Sequence, residues 1–347
     1  MNVLSIPSRG RLAPASTLLT LCFAQAVGIA GCGSTHPEDA PGRLQAEGRV
    51  GTAVTTTRWD ACPLAGLDAA VTALATPDGI AVASAAAGSQ DAGAVVVRYR
   101  GLGCALAPAG TPLAVYELLD ADAPGNLYAF PAAAAPGAAS TLPPGEHTPA
   151  RDGMVVRISP AGQATQVVQA GRGIWMFGAS AAGGAFWSTA CGPTGIFAMA
   201  SEPPRSVLSP PETSWQWAGA VLTADSTLWS LASPGCGTGS PDGPPCVRPL
   251  VRTTPAGDRA VGTIAIDIAA DSGRAALFRC GERLCGVASQ TITLWGDDGA
   301  ALRTAGKDEL GLRAGEQIVR ASSNPHGIYV LTRSPDGQRL LFNPTHG

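Results

Sequence analysis

From about residue 66 to the end, apolar residues come in short runs, and each run is cut off by Gly, Pro, Asn, Asp or Ser. Ile80-Ala81-Val82, Leu127-Tyr128-Ala129, Phe186-Trp187, Leu228-Trp229, Leu277-Phe278 and Ile328-Tyr329-Val330 are such runs. Short runs rich in β-branched and aromatic residues and bounded by turn formers predict strands rather than helices. No window between 66 and 347 carries a convincing helical stripe. Residues 132–139 are Ala-rich, but Pro131, Pro136, Pro143 and Pro144 break them, so they read as an inserted loop reaching His147.

The turns repeat as well. Pro-Asp-Gly occurs at 77–79, 241–243 and 335–337, and Pro-Ala-Gly at 108–110, 160–162 and 255–257. Pro presets the first corner of a turn and Gly accepts the left-handed residue, which is the chemistry of short hairpin loops. Residues 156–162, 251–257 and, more loosely, 331–337 share one frame: a strand ending near Arg157, Arg252 or Arg333, then a turn. The expectation is that these three arginines end equivalent strands, with Gly162, Gly257 and Gly337 on one rim. With Ile80, Leu127, Phe186, Leu228, Ala276 and Ile328 as anchors, the steps are 47, 59, 42, 48 and 52 residues. A period of roughly 40–50 residues, with several strands per unit, is the signature of a β-propeller, whose sheets bury both faces by packing radially. The predicted fold is all-β: a single propeller over 62–347, six-bladed, with seven blades or paired β-sandwiches as alternatives. The pattern over 66–344 resembles the broad propeller superfamily, including TolB-like and NHL-like repeats. It lacks the Trp-Asp or Gly-His signature of particular blade families.

Ahead of this region, residues 1–16 hold Arg9 and Arg11 and no acid, and 17–31 are apolar, the layout of a secretory signal peptide. The apolar stretch falls short of the about 20 residues that a membrane span needs. It ends in Ile29-Ala30-Gly31-Cys32, which resembles the bacterial lipobox. In that family the Cys sulfur takes a diacylglycerol, the peptide is cut before it, and the new amine is acylated. The resemblance implies that 1–31 is removed as a lipoprotein signal peptide. It also implies that Cys32 anchors the chain through several acyl chains such as palmitate, at about 0.8 kcal/mol per buried methylene. Gly33 is not the Asp that retains lipoproteins at the inner membrane of enteric bacteria. The same resemblance therefore implies the cell envelope, at the outer membrane of a Gram-negative bacterium. Residues 32–61 lack apolar periodicity and read as anchor and flexible tether.

Composition narrows the class further. The chain has 347 residues, 45% hydrophobic and 14% charged, with 44 Gly and 29 Pro, which excludes general disorder, and the Gly lacks a three-residue period, which excludes collagen. Every basic residue except Lys307 is Arg, and no basic run exists. The net charge of −3 becomes 21 − 26 = −5 once residues 1–31 are removed. A mildly acidic surface without a basic stripe argues against nucleic acid.

Setting Cys22 and Cys32 aside, seven cysteines remain, and a secreted compartment favours pairing them. The spacing suggests Cys280 with Cys285 across a hairpin, Cys236 with Cys246 around a Gly/Ser/Pro loop, and Cys62 with Cys104. Loop closure would contribute about 2, 3 and 4 kcal/mol respectively. Cys191 is left over. Buried free thiols are the alternative; the spacings do not suit zinc.

Catalytic chemistry is sparse. Of the four histidines, His36 lies in the tether and His346 next to the end, leaving His147 and His326. The 178–182 segment approaches a nucleophile elbow around Ser180, but Ala182 replaces the second Gly. Asp120-Ala121-Asp122 opens like a calcium loop, but Pro124 and Pro131 replace ligands, so a turn is expected. The streptogramin-lyase group, also propellers, uses a His and a Glu with magnesium; here His147 follows Glu146 in the Pro-rich insert. The reading is a binding or scaffold module, not an enzyme, with no catalytic residues, no metal and no cofactor. The alternative is a propeller-type lyase or hydrolase with a metal in the channel, where acids would cluster. In a propeller, loops leading into the inner strands share one face. Candidates there are Arg172, Glu212, Trp215, Trp217 and Glu316, and the two indoles of Trp215-Gln216-Trp217 would suit a protein, peptide or glycan partner.

Overall fold

The computed structural model describes residues 59–86, 93–132, 153–169, 174–179, 185–189, 196–198, 205–208, 220–222, 227–231, 246–254, 257–266, 276–281, 283–288 and 290–344. The expected signal peptide, Cys32 and nearly all of the expected tether lie outside them.

The strands follow one another as antiparallel meanders. Ala70–Thr76 (β2), Gly79–Ala85 (β3), Ala94–Arg100 (β4) and Ala107–Ala121 (β5) form the first, where the short Asp60–Cys62 (β1) is set aside. The 15-residue β5 has two roles. Its first half pairs with β4, from Arg100 opposite Ala107 to Ala94 opposite Val115. Its second half pairs with Leu127–Pro131 (β6), which leads into Met154–Ile158 (β7) and Ala164–Gln169 (β8). One seven-stranded sheet is thus two four-stranded meanders sharing a strand. Ile174–Ala179, Ala185–Thr189, Ile196–Ala198 and Arg205–Leu208 (β9–β12) form the third meander. Ala220–Leu222, Leu228–Leu231, Cys246–Thr254 and Gly257–Ile266 (β13–β16) form the fourth. Ala276–Cys280, Arg283–Ala288, Thr291–Trp295 and Ala301–Ala305 (β17–β20) form the fifth. The last sheet takes Gln317–Asn324 (β21), Gly327–Ser334 (β22) and Gly337–Pro344 (β23) and completes itself with β1 from the other end of the domain.

Side-chain alternation explains why these sheets stand on edge. In β22, Tyr329 and Leu331 enter one core with Ile80, Val82 and Leu340, while Val330 between them enters another with Val287, Ile292 and Leu341. In β6, Leu127 and Ala129 pack with Leu74, Ala81 and Ile158, while Tyr128 and Phe130 pack with Val155, Val168 and Trp187. A strand whose successive residues all bury must have a sheet against each face. That is why the second strands read as unbroken apolar runs; Leu228–Leu231 is buried throughout. Full burial of a large apolar side chain contributes about 1.5–3 kcal/mol. A paired sandwich would leave one face of each sheet in water, so that alternative is excluded. The fold is an all-β propeller.

The first strand of each meander touches the first strand of the next: β2 to β5, then β9, β13, β17, β21 and back to β2. The ends are joined covalently. Cys62 in β1 bonds Cys104 in the β4–β5 hairpin, which ties the last sheet to the first. The Tyr329 hydroxyl donates to Gly103 O at 3.1 Å in the same hairpin.

Four expectations need correction. Arg157 and Arg252 do end third strands, β7 and β15, but Arg333 ends β22, a second strand. The turn before Gly337 therefore points to the opposite end of the sheet from those at Gly162 and Gly257, since hairpins alternate ends along a meander. Any hairpin can use Pro-x-Gly, so the local signal does not reveal which of the three it is. Ala276 lies in the first strand of its meander, whereas the five other anchors lie in second strands. Pro108-Ala109-Gly110 is not a hairpin: it lies within β5 where the register with β4 shifts, with Gly110 at φ 78°. In addition, β1 begins at Asp60, inside the stretch expected to be tether.

Candidate functional site

The first strands line the inside of the ring, and β5 brings two carboxylates there. Glu117 and Asp120 stand in an otherwise apolar stretch, Val115 to Ala121, with register shifts at Val115/Glu117 and Leu118/Asp120. Asp120 Oδ1 accepts from its neighbour Ala121 N at 2.9 Å, and Oδ2 accepts from Ala179 N on β9 at 2.8 Å. Burial pushes the Asp120 carboxyl up from its ordinary range, against the pull of Arg320, the two amides and Arg279. Glu117 retains solvent exposure. Burial raises its carboxyl too, opposed by Arg320.

The cations come from far along the chain. Arg320, on β21, reaches to β5 and donates to Leu119 O at 3.2 Å. Arg279, on β17, has its guanidinium pKa lowered by burial and partly restored by Asp120. In the order β2, β5, β9, β13, β17, β21, the strands β5 and β17 are not neighbours. Asp120 thus interacts electrostatically with both Arg320 and Arg279, and Glu117 with Arg320. Among the described residues, no hydrogen bond is made by the side chain of Glu117 or of Arg279.

Glu316 needs correction as a binding-face residue. It ends the connection from β20 to β21, which carries the short helix Lys307–Leu310 (α1), and it is 0% exposed. Its carboxylate accepts from Arg313 N at 2.7 Å, Arg339 Nε at 2.8 Å, Arg339 Nη2 and the Thr332 hydroxyl. Burial alone would raise its pKa; the Arg339 guanidinium, the Arg313 amide and the Thr332 hydroxyl outweigh that and hold it at about 2. Glu316 fastens the connection to β22 and β23 and has no spare capacity for a partner.

Other singled-out residues also hold the frame. Asp122 accepts from Asn126 N, Asn126 Nδ2 and the Tyr128 hydroxyl at 2.8, 2.8 and 3.1 Å, which is a turn. His326 lies in the β21–β22 turn and donates its backbone N–H to Asn324 Oδ1 at 2.9 Å. Asn324 Nδ2 donates to Thr76 O and Gly79 O in the first meander. Arg98 donates to Gly125 O, Ile158 O and Ser159 O at 2.9, 3.1 and 3.0 Å, clamping the first meander to two turns of the second. Cys280 and Cys285 are bonded within the β17–β18 hairpin, as the spacing suggested. Arg172, Glu212, Trp215, Trp217, His147, Ser180, Cys191 and Cys236 lie outside the described residues, as does the side chain of Cys246. Among the described residues, no three His, Cys, Asp or Glu side chains converge closely enough to hold a metal ion. No described helix is long and apolar enough to cross a membrane.

Sequence reading missed the charged cluster. One signal was present: two acids three residues apart inside an apolar strand, which a strand does not need for packing. Nothing local tied them to Arg279 and Arg320, more than 150 positions away.

No family model matches the chain, and no curated protein sequence matches it. Solved structures similar to it include virginiamycin B lyase from Staphylococcus aureus, at 10% identity and TM-score 0.46, covering 83% of this chain and 99% of that one. YCF48 bound to D1 peptide is similar at 11% identity and TM-score 0.46, covering 85% and 97%. The Neurospora crassa Pan2 WD40 domain is similar at 7% identity and TM-score 0.44, covering 85% and 98%. The propeller assignment rests on the strand topology and inter-sheet cores above.

Proposed function

We propose that this protein is a lipid-anchored, extracytoplasmic propeller of six blades that works as a binding module, with its ligand contacts inside the ring. The observation that carries the binding reading is the pair Glu117 and Arg279. They stand on strands that are not neighbours, both charges are disfavoured by burial, and neither is spent on a hydrogen bond within the described frame. Structural ion pairs are normally closed onto each other or onto the backbone, as Glu316 and Arg339 are. The six blades are supported by the six meanders and the cyclic contacts of their first strands. The cell-envelope location is supported by the lipobox and by two cystines, which persist in oxidising compartments.

A thermal-shift screen of the full chain in detergent, against charged and neutral small molecules, tests the binding reading. Ligands that bind the folded state raise Tm by mass action. Hits abolished by Glu117→Gln or Arg279→Gln support it, and hits indifferent to both overturn it. A second reading is favoured by the raised carboxyls: a lyase or hydrolase using Glu117 as general acid, since burial tunes carboxylates for that role. Turnover of a bound hit, lost in Glu117→Gln while affinity is kept, would select it.

A further inference from the structure

We infer that the outer rim of the first meander, residues 101–114, rests on a lipid surface as a second, non-covalent membrane contact beside the anchor. The inference rests on the lipid-anchored reading above. Its first ground is composition and exposure together. Among the described residues, three of the four exposed large apolar side chains, Val71, Val95 and Leu102, belong to the first meander, and Leu102 is the most exposed at 62%. Residues 101–114 carry no charge, and Thr111 has their only polar side chain apart from the bonded Cys104. None of them is fully buried, and eight are exposed. A continuous apolar stretch held in water marks an interaction site.

The second ground is position. The chain leading from Cys32 enters the fold at β1, and the Cys62–Cys104 bond seats the β4–β5 hairpin beside that entry. Leu64 and Leu106 pack on the same core from the two segments. A surface next to a lipidated tether meets the bilayer at high effective concentration, so a weak apolar contact suffices. The third ground is what the rim refuses. Pro108 and Pro112 lack N–H groups, and the register of β5 with β4 is broken between Ala109 and Leu113. The open edge of β5 is thereby guarded against a further strand, whether from a second copy or from an extended peptide. Arg100, at the base of the hairpin, is paired with Asp78 at 2.8 Å. A rim without charge of its own suits the acyl boundary rather than acidic headgroups. The tip is also preformed. A Cβ on Gly101, at φ 140°, would stand 1.8 Å from Ala105 O, and Leu102 O accepts from Ala105 N at 3.0 Å. Little ordering is then needed when Leu102 enters the interface.

Photo-crosslinking tests this on the full lipidated chain in phosphatidylcholine vesicles whose lipid carries a diazirine in the acyl chain. Flotation reports the anchor, and peptide mapping by mass spectrometry reports which segments touch lipid. Label on residues 101–114 should exceed that on β20, which exposes Leu302 on another sheet. Leu102→Asp, a change outside the core, should lower the label on 101–114 about tenfold, the scale set by burying one leucine. High salt should leave the label unchanged, because no charge takes part. A chain that floats but labels 101–114 no more than β20 overturns the inference and leaves the anchor standing. Label indifferent to Leu102→Asp, or lost in high salt, does the same. Residues 101–114 protected from hydrogen exchange in native membranes, yet free of lipid label, would assign the rim to a protein partner and overturn the lipid contact. A chain that does not float takes the anchor and the inference down together.

Discussion

Removing the Cys62–Cys104 bond, as the double variant Cys62→Ala/Cys104→Ala, should destabilise the domain more than removing Cys280–Cys285. The bonded residues are 42 positions apart in the first case and 5 in the second. Loop-closure entropy in the unfolded chain then gives about 4 kcal/mol against about 2 kcal/mol. For a domain of this length the entropy of unfolding is roughly 0.6 kcal/mol/K, so Tm should fall by about 7 °C and about 3 °C respectively. The first bond also has a local role. It holds β1, only three residues long, as the outer strand of the last sheet, and alone among the strands β1 comes from the opposite end of the domain. Without the bond, three ladder pairs and the packing of Cys62 and nearby Leu64 must hold that closure. Scanning calorimetry gives the two Tm values, and hydrogen exchange followed by mass spectrometry reads the amides of Asp60–Cys62. The expected result is a larger Tm drop for the first variant, with selective loss of protection at β1 before global unfolding. Equal drops in the two variants, or unchanged protection at β1, would show that ring closure does not depend on this strand and its bond.

Glu316→Gln should flatten acid denaturation. The folded pKa of about 2 lies below the ordinary 4.5, so the stabilisation is complete above about pH 4.5 and is lost as pH falls towards 2. The amount is about 3 kcal/mol, and Glu117 and Asp120 shift the opposite way, so the quantity to compare is the wild-type minus variant difference in urea unfolding between pH 5 and 2. Arg98→Met keeps the stem but strands three carbonyls of the second meander, and should cost about 2–4 kcal/mol in urea unfolding; a loss below about 1 kcal/mol would deny the clamp. Cys32→Ser should move the protein from the membrane to the soluble fraction, and continued partition into detergent would rule out lipidation there.

Strand class, the turn sites at 77–79 and 160–162, five of the six anchors and the Cys280–Cys285 hairpin were legible in the chain because each is set by neighbours in sequence. Period-two alternation and Pro-x-Gly chemistry act over a few residues, and a second strand buried on both faces announces itself as an unbroken apolar run. What could not be read was which hairpin a turn belongs to, as Arg333 and Gly337 show, because all three hairpins of a meander obey the same local rules. Nor could the environment of Glu316 be read. An acid in a connection is exposed by default, and Arg339 and Thr332, brought in by two later strands, together with the nearby Arg313 amide, offset the cost of burying it. The channel charges are the clearest case. Glu117 and Asp120 acquire their raised carboxyls, and Arg279 its lowered guanidinium, from the packing of the sheets, which buries groups more than 150 residues apart near one another. Electrostatics and desolvation depend on distance in space, and that distance exists only once the sheets have packed against one another.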